Sequence, residues 1–237
     1  MNTKSVSLLL LVFLTALSVR LLANEDLKPA PKVSSTERFD FAPGGTIRVN
    51  RSNGDVYVEG WDKPEVELTV IKSLPYEYER EHQQRPAQEL ESVQVVAERA
   101  SAELSISVQS PRRSSYVRHV KLEYQLRVPH KSELIIEHGV GYVSVSGVTG
   151  DIHAACRRGD IVLWLPDTRA YSIDAKSWLG KVSSDFPGDS SLRFLVGQRF
   201  IGLSPTAPQK LYLRVGFGGI TLKPILTESN SPASVQR

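Results

Sequence analysis

Apolar and polar residues alternate with a period of two over most of this chain, from about Phe39 to Leu222. Val, Ile, Leu, Tyr and Ser fill the alternating runs, and turn residues interrupt them at short intervals. A period of two sends successive side chains to opposite faces of a strand, so each run predicts a β-strand with one face buried. Such runs cover 46–49, 56–58, 66–71, 93–96, 104–108 and 117–128. Helical spacing is nearly absent. One stretch, 76–90 (YEYEREHQQRPAQEL), breaks the pattern: it is charged, rich in Gln and interrupted by Pro86. It predicts an exposed excursion over 74–92 with one short helix.

A repeat is superimposed on the alternation. Gly54-Asp55-Val56 returns as Gly150-Asp151-Ile152 and as Gly159-Asp160-Ile161, with looser copies at Gly141-Tyr142-Val143, Gly180-Lys181-Val182 and Gly219-Ile220. Gly141, Gly159 and Gly180 are 18 and 21 residues apart, and the next step, to Gly219, is 39, close to two periods with a weak corner near Gly202. Short strands recurring about every 20 residues predict an all-β fold of the β-solenoid (β-helix-like) type, each turn laying its strands on those of the next. Inward Val, Ile and Leu would form continuous columns. Glycine would take the tight corner where φ is positive, and the following Asp would accept backbone N–H groups of the turn. A β-sandwich is the alternative that the same alternation allows.

The two ends differ from the body. Lys4 precedes an apolar run over 5–19, and Ala23 offers a small residue for cleavage, so residues 1–23 read as a secretory signal peptide. The run is shorter than the roughly 20 residues of a spanning helix; an uncleaved anchor is the alternative. Residues 24–38 are polar and Pro-containing and read as a linker, 39–226 as the β-domain, and 227–237 as a polar tail. A cleaved signal implies a periplasmic or secreted protein with no membrane span left. The single Cys excludes an intrachain disulfide and a multi-cysteine zinc site. The 29 basic and 26 acidic residues give +3, and loss of Lys4 and Arg20 with the leader leaves +1, which argues against a nucleic-acid partner.

Four stretches carry a family likeness: FDFAPGGTIRVNRSNGDVYVEGWDKPEVEL, YQLRVPHKSELIIEHGVGYVSVSGVTGDI, RRGDIVLWLPDTRAYSIDAKSWLGKVSSDF and LYLRVGFGGITL. In their order and spacing they resemble the bacterial DUF4097-type, adhesin-like β-solenoid proteins, and they span most of 39–222. The resemblance implies an exported or envelope-associated all-β module with no established enzymatic activity. It supplies no catalytic residue.

Candidate chemistry is thin. Asp151 and Asp160 follow repeat glycines, and stacked turns would align them into a carboxylate ladder able to bind calcium or act as an acid/base pair on a polysaccharide. Corner capping explains the same pattern without a ligand. Arg157-Arg158 is a basic pair suited to anionic head groups or acidic glycans. Trp61, Trp164 and Trp178 offer faces for sugar rings; if Leu163 and Leu165 are core, Trp164 is exposed, and Trp61 reads as a packing plug in its turn. His153 and Cys156 would point to opposite faces of a strand, which leaves Cys156 a small buried residue and His153 facing water. No nucleophile elbow, Walker loop, His-Glu-x-x-His or complete dinucleotide fingerprint occurs, and no cofactor is implied.

The expected function is that of a non-enzymatic envelope protein with a structural, adhesive or ligand- or partner-binding role. Envelope proteins, glycans and lipids are the expected partners, and exposed solenoid ends would invite self-association. Two alternatives stay open. One is a polysaccharide-acting enzyme using Asp151 and Asp160. The other is an envelope-stress sensor that binds an anionic ligand through Arg157 and Arg158.

Overall fold

The computed structural model describes residues 32–74, 90–109, 120–166, 171–193 and 196–225. The signal peptide, most of the excursion and the tail expected from sequence lie outside them. The alternating runs become strands: β1 (Lys32–Asp40), β2 (Thr46–Asn53), β3 (Asp55–Trp61), β4 (Glu65–Ser73), β5 (Gln94–Ala100) and β6 (Glu103–Gln109). The series continues with β7 (Lys121–Pro129), β8 (Glu133–Val140), β9 (Val143–Ser146), β10 (Ile152–Arg158), β11 (Ile161–Pro166) and β12 (Tyr171–Leu179). It ends with β13 (Val182–Ser184), β14 (Gly188–Arg193), β15 (Gly197–Gly202), β16 (Gln209–Phe217) and β17 (Ile220–Ile225).

Two mixed sheets result, and among the described residues neither closes into a barrel. Sheet A has the order β1-β4-β7-β3-β9-β11-β17-β13, and sheet B the order β14-β15-β12-β16-β10-β8-β2-β6-β5. The middle of each sheet is parallel, while β4 and β1 at one margin of A, and β5, β15 and β14 at the margins of B, join antiparallel. The inward residues of both sheets form one core. Ile47, Leu134, Ile152, Leu211 and Ile173 stand in register across sheet B, and Val56, Val143, Ile161, Ile220 and Val182 across sheet A. Each is nearly or wholly buried, and each such side chain stabilises the fold by about 1.5–3 kcal/mol. The all-β expectation is met, and two open sheets over a shared core are compatible with the sandwich alternative.

In five places among the described residues the chain passes from a sheet B strand straight into a sheet A strand. Gly54, Gly141, Gly159, Gly180 and Gly218 turn these corners with φ of 107°, 137°, 133°, 151° and 133°. The corners stack on one another. A Cβ on Gly141 would overlap the carbonyl of Gly54, one on Gly159 that of Gly141, one on Gly218 that of Gly159, and one on Gly180 that of Gly218. Left-handed backbone and close approach of the next corner therefore both require glycine. The glycine N–H groups carry the hydrogen-bond ladder around the bend: Gly141 donates to the Arg158 carbonyl at 3.0 Å and Gly159 to that of Phe217 at 2.8 Å.

Several expectations need correction. The strands do not stack in chain order, since β2 lies between β6 and β8, and β16 between β10 and β12. The 39-residue step hides no corner at Gly202; it contains the antiparallel hairpin β14–β15, which Gly202 ends. The positive φ falls on Gly218 instead of Gly219. Gly150-Asp151 lies at the opposite kind of turn, from sheet A back to sheet B, and is not equivalent to Gly159-Asp160. The linker expected over 24–38 overlaps β1, which pairs with β4 from Lys32 to Asp40. That strand is exposed almost throughout, so its hydrophobic pattern is silent. Ladder bonds hold it, aided by Thr36–Thr69 at 2.8 Å and Arg38–Glu67 at 2.6 Å. At the excursion's ends Leu74 and Leu90 are buried together, and Leu90 begins a helical turn.

Candidate functional site

The outer face of sheet B is not filled evenly. Strands β8, β10, β16 and β12 are neighbours there, and their outward residues fall into rows. Glu137, Ala155, Arg214 and Lys176 form one row in register. The next row, toward the glycine corners, holds Gly139, Arg157, Gly216 and Trp178. Gly139, Ala155 and Gly216 leave a depression because they have little or no side chain. It is a cleft of about 650 Å³, walled by Glu137, Arg157, Trp178, Arg214 and Asn53. Gly216 is needed there as well, since a Cβ would press on the Arg157 carbonyl.

The walls differ in rigidity. Arg214 is locked: its guanidinium donates to Asp174 Oδ2 at 2.7 Å and to the Asp174 carbonyl at 2.8 Å, and it lies 3.7 Å from the Tyr212 ring centroid. Arg199 approaches the same carboxylate from β15, donating at 3.0 and 2.9 Å. Burial pushes the Asp174 carboxyl up, but the bonds and charges of Arg199 and Arg214 outweigh it and hold the group below its ordinary range. Lys176 lies over Trp178, with Nζ 3.3 Å from the ring centroid. Arg157 and Glu137, in contrast, form no ion pair or side-chain hydrogen bond among the described residues. The cleft therefore presents an aromatic ring, one cation and one anion without an ion pair or side-chain hydrogen bond among the described residues, and an amide at Asn53.

Beside the corner-side row lies a buried column of Ser52, His138, Cys156, Val215 and Ser177, polar but for Val215 and Cys156. Ser52 Oγ and His138 Nδ1 are 2.7 Å apart, and His138 Nε2 has no partner among the described residues. Burial holds the His138 pKa below its ordinary value. Burial raises the Cys156 thiol, whose Sγ faces the Gly141 carbonyl at 3.8 Å, and so disfavours its thiolate form. His153 is exposed on the opposite face and packs on Tyr212 with centroids 5.7 Å apart. The two potential ligands His153 and Cys156 are thus kept apart, as the strand period predicts.

The sequence-derived candidates are dispersed. Asp151 and Asp160 sit at opposite ends of the seven-residue β10, roughly 20 Å or more apart at about 3.3 Å per residue, and form no ladder. Each caps a neighbouring turn instead of its own: Asp151 Oδ1 accepts from Lys210 N at 2.8 Å, and Asp160 Oδ1 from Gly219 N at 2.6 Å. Asp55 does the same for Tyr142 N at 2.9 Å. Arg157 enters the cleft, but Arg158 turns away to the Phe217 ring, 5.9 Å from its centroid. Trp164 is exposed on sheet A beside Lys223, between buried Leu163 and Leu165. Trp61 is half-buried, donates to the Glu65 carbonyl at 2.8 Å and closes its turn. A smaller depression of about 380 Å³ on sheet A is lined by Arg127, Glu59, Gln125 and Glu123, which bond within that set.

Sequence reading missed Glu137, Arg214, Asp174 and Arg199. Nothing in the chain signals that β16 inserts beside β10 and brings them together. Trp178 is visible as an aromatic, but only the strand order places it at a cleft.

No protein-family model matches the chain, and no curated protein matches it. Among solved structures the chain is similar to a "putative cell adhesion protein" from Clostridium sporogenes, at 13% identity over 81% of this chain and 100% of that one, with a TM-score of 0.46. It is also similar to a "putative adhesin" from Bacteroides fragilis, at 11% identity over 83% and 99% of the two chains, with a TM-score of 0.36. A "putative adhesin" from Parabacteroides distasonis gives 10% identity over 81% and 97%, with a TM-score of 0.24. Among the described residues no helix is long and apolar enough to cross a membrane.

Proposed function

We propose that this chain is an exported, non-enzymatic binding protein of the bacterial envelope, of the DUF4097-type adhesin-like kind, whose stacked corners form a solenoid-like body. Its sheet B cleft takes a saccharide. The observation that carries the reading is that Arg157 and Glu137, neither in an ion pair or side-chain hydrogen bond among the described residues, line one cleft with an exposed Trp178 over a floor of Gly139, Ala155 and Gly216. An indole face suits the apolar face of a pyranose ring, while a guanidinium, a carboxylate and an amide bond its hydroxyls in fixed directions. The floor of small residues lets the ring approach the backbone. The separation of Asp151 from Asp160 removes the carboxylate pair on which an enzymatic reading rested.

A screen of the purified protein against envelope and host glycans tests this. Binding by the parent protein and a loss of about tenfold or more in Trp178→Ala are expected. Equal binding by Trp178→Ala, or no glycan bound at all, would overturn the assignment.

A further inference from the structure

The end of sheet B nearest the glycine corners carries a second surface. Alternation fails at the end of β12, where Trp178 and Leu179 are both exposed. In the adjacent strands Leu179 is in register with Phe217, Phe217 with Arg158, and Arg158 with Val140. Val196 joins the row through its carbonyl, which accepts from Gly180 N at 3.2 Å. Val140, Leu179, Phe217 and Val196 are 39–59% exposed. Single exposed apolar residues are ordinary on any surface, but Val196, Leu179 and Phe217 follow one another along one edge beside an exposed Trp, with Arg158 between Phe217 and Val140, and form a ridge. The ridge stands proud because each of Val140, Arg158, Phe217 and Leu179 directly precedes a corner glycine, which adds no bulk of its own.

Charge around the ridge is mostly basic. Arg157, Arg158, Lys176 and Lys181 surround it. Asp160 and Asp55 are the carboxylates at the adjoining corners, and their Oδ1 atoms are engaged by Gly219 N and Tyr142 N. Arg158 covers the Phe217 ring and Lys176 the Trp178 ring, so the cations ride on the aromatic residues. Aromatic and aliphatic side chains that enter the head-group region, with Lys and Arg at phosphate level, are what an anionic bilayer surface selects. A second copy of this chain is a poor occupant, since symmetric pairing would bring the same cations face to face.

We propose that this corner ridge docks the protein on an anionic lipid bilayer surface, with Phe217 and Leu179 entering the interface and Arg158 and Lys181 meeting lipid phosphates. The surface is distinct from the saccharide cleft, which it meets at Trp178 and Arg157.

Co-sedimentation with vesicles tests it. Vesicles of phosphatidylcholine mixed with an equal part of phosphatidylglycerol should retain the protein at low salt, and pure phosphatidylcholine should not. Phe217→Ser/Leu179→Ser should weaken retention by about tenfold or more. Arg158→Glu/Lys181→Glu should weaken it and flatten its salt dependence. Far-ultraviolet circular dichroism of each variant checks that it remains folded. Absence of retention by the mixed vesicles, or retention unchanged in Phe217→Ser/Leu179→Ser, would overturn the proposal. So would a dimer in analytical ultracentrifugation that the same double variant abolishes, because the ridge would then be a self-interface. Glycan binding that persists in Phe217→Ser/Leu179→Ser separates this surface from the cleft.

Discussion

At the residue scale, His138 and Trp178 show how position sets chemistry. His138 points into the core beside Ser52, and burial holds its pKa below the ordinary 6.5. The unfolded chain therefore takes up a proton before the folded one does, so stability is lost as pH falls through about 6.5 toward the folded value, and is flat above that. Urea midpoints between pH 7.5 and 5 should fall in the parent and fall less in His138→Gln. Equal slopes in both would show that His138 does not govern this window. Asp174 works at the other end of the scale: its lowered pKa gives stability that is present above the ordinary carboxylate value of 3.8 and lost as pH falls through the folded value, so it does not mask the His138 window. Outward and inward roles of single residues were legible in the sequence wherever alternation is clean. Trp164, Cys156 and His153 point as the period of two requires. The partners of those residues were not legible, because they come from strands distant in the chain.

At the scale of elements, the corner glycines are the most informative feature. Gly159→Ala meets two obstacles, a φ of 133° and the Gly141 carbonyl. Gly44 has a φ of 91° but nothing within 4 Å of a new Cβ. Gly159→Ala should cost about 3 kcal/mol or more, and Gly44→Ala about 1 kcal/mol, in chemical denaturation. Equal costs would mean that stacking of corners adds nothing to the backbone term. The glycine-Asp repeat was visible in the sequence, but its period was not uniform. A hairpin between β13 and β16 lengthens one step, and Gly150 serves a different turn. The carboxylates after the glycines cap backbone N–H groups on the neighbouring turn. That choice depends on which turn lies alongside and cannot be read from local sequence. β1 was missed for a related reason: main-chain pairing holds it, and main-chain pairing leaves no apolar signature.

At the scale of the whole domain, function depends on strand order. Columns of Val, Ile and Leu are interchangeable, so a hydrophobic pattern accepts many stacking orders. The observed order places β16 between β10 and β12, and only this order sets Arg214 and Gly216 beside Arg157 and Trp178. The same order aligns Phe217 and Leu179 on the corner ridge. Asp151 and Asp160, close in sequence, are separated by the length of a strand. Antiparallel strands β1, β5 and β14 flank the parallel interiors, and β13 is three residues long. Short or polar margins of this kind discourage edge-to-edge pairing.

The central claim is that the sheet B cleft, and not the sheet A face, receives the saccharide. The chain has three Trp residues, hence three indole N–H resonances in a nitrogen–proton correlation spectrum, assignable by single substitution. Titration with a glycan chosen from the screen should move the Trp178 resonance and leave those of Trp61 and Trp164 in place. Movement of the Trp164 resonance with Trp178 unchanged would contradict the account.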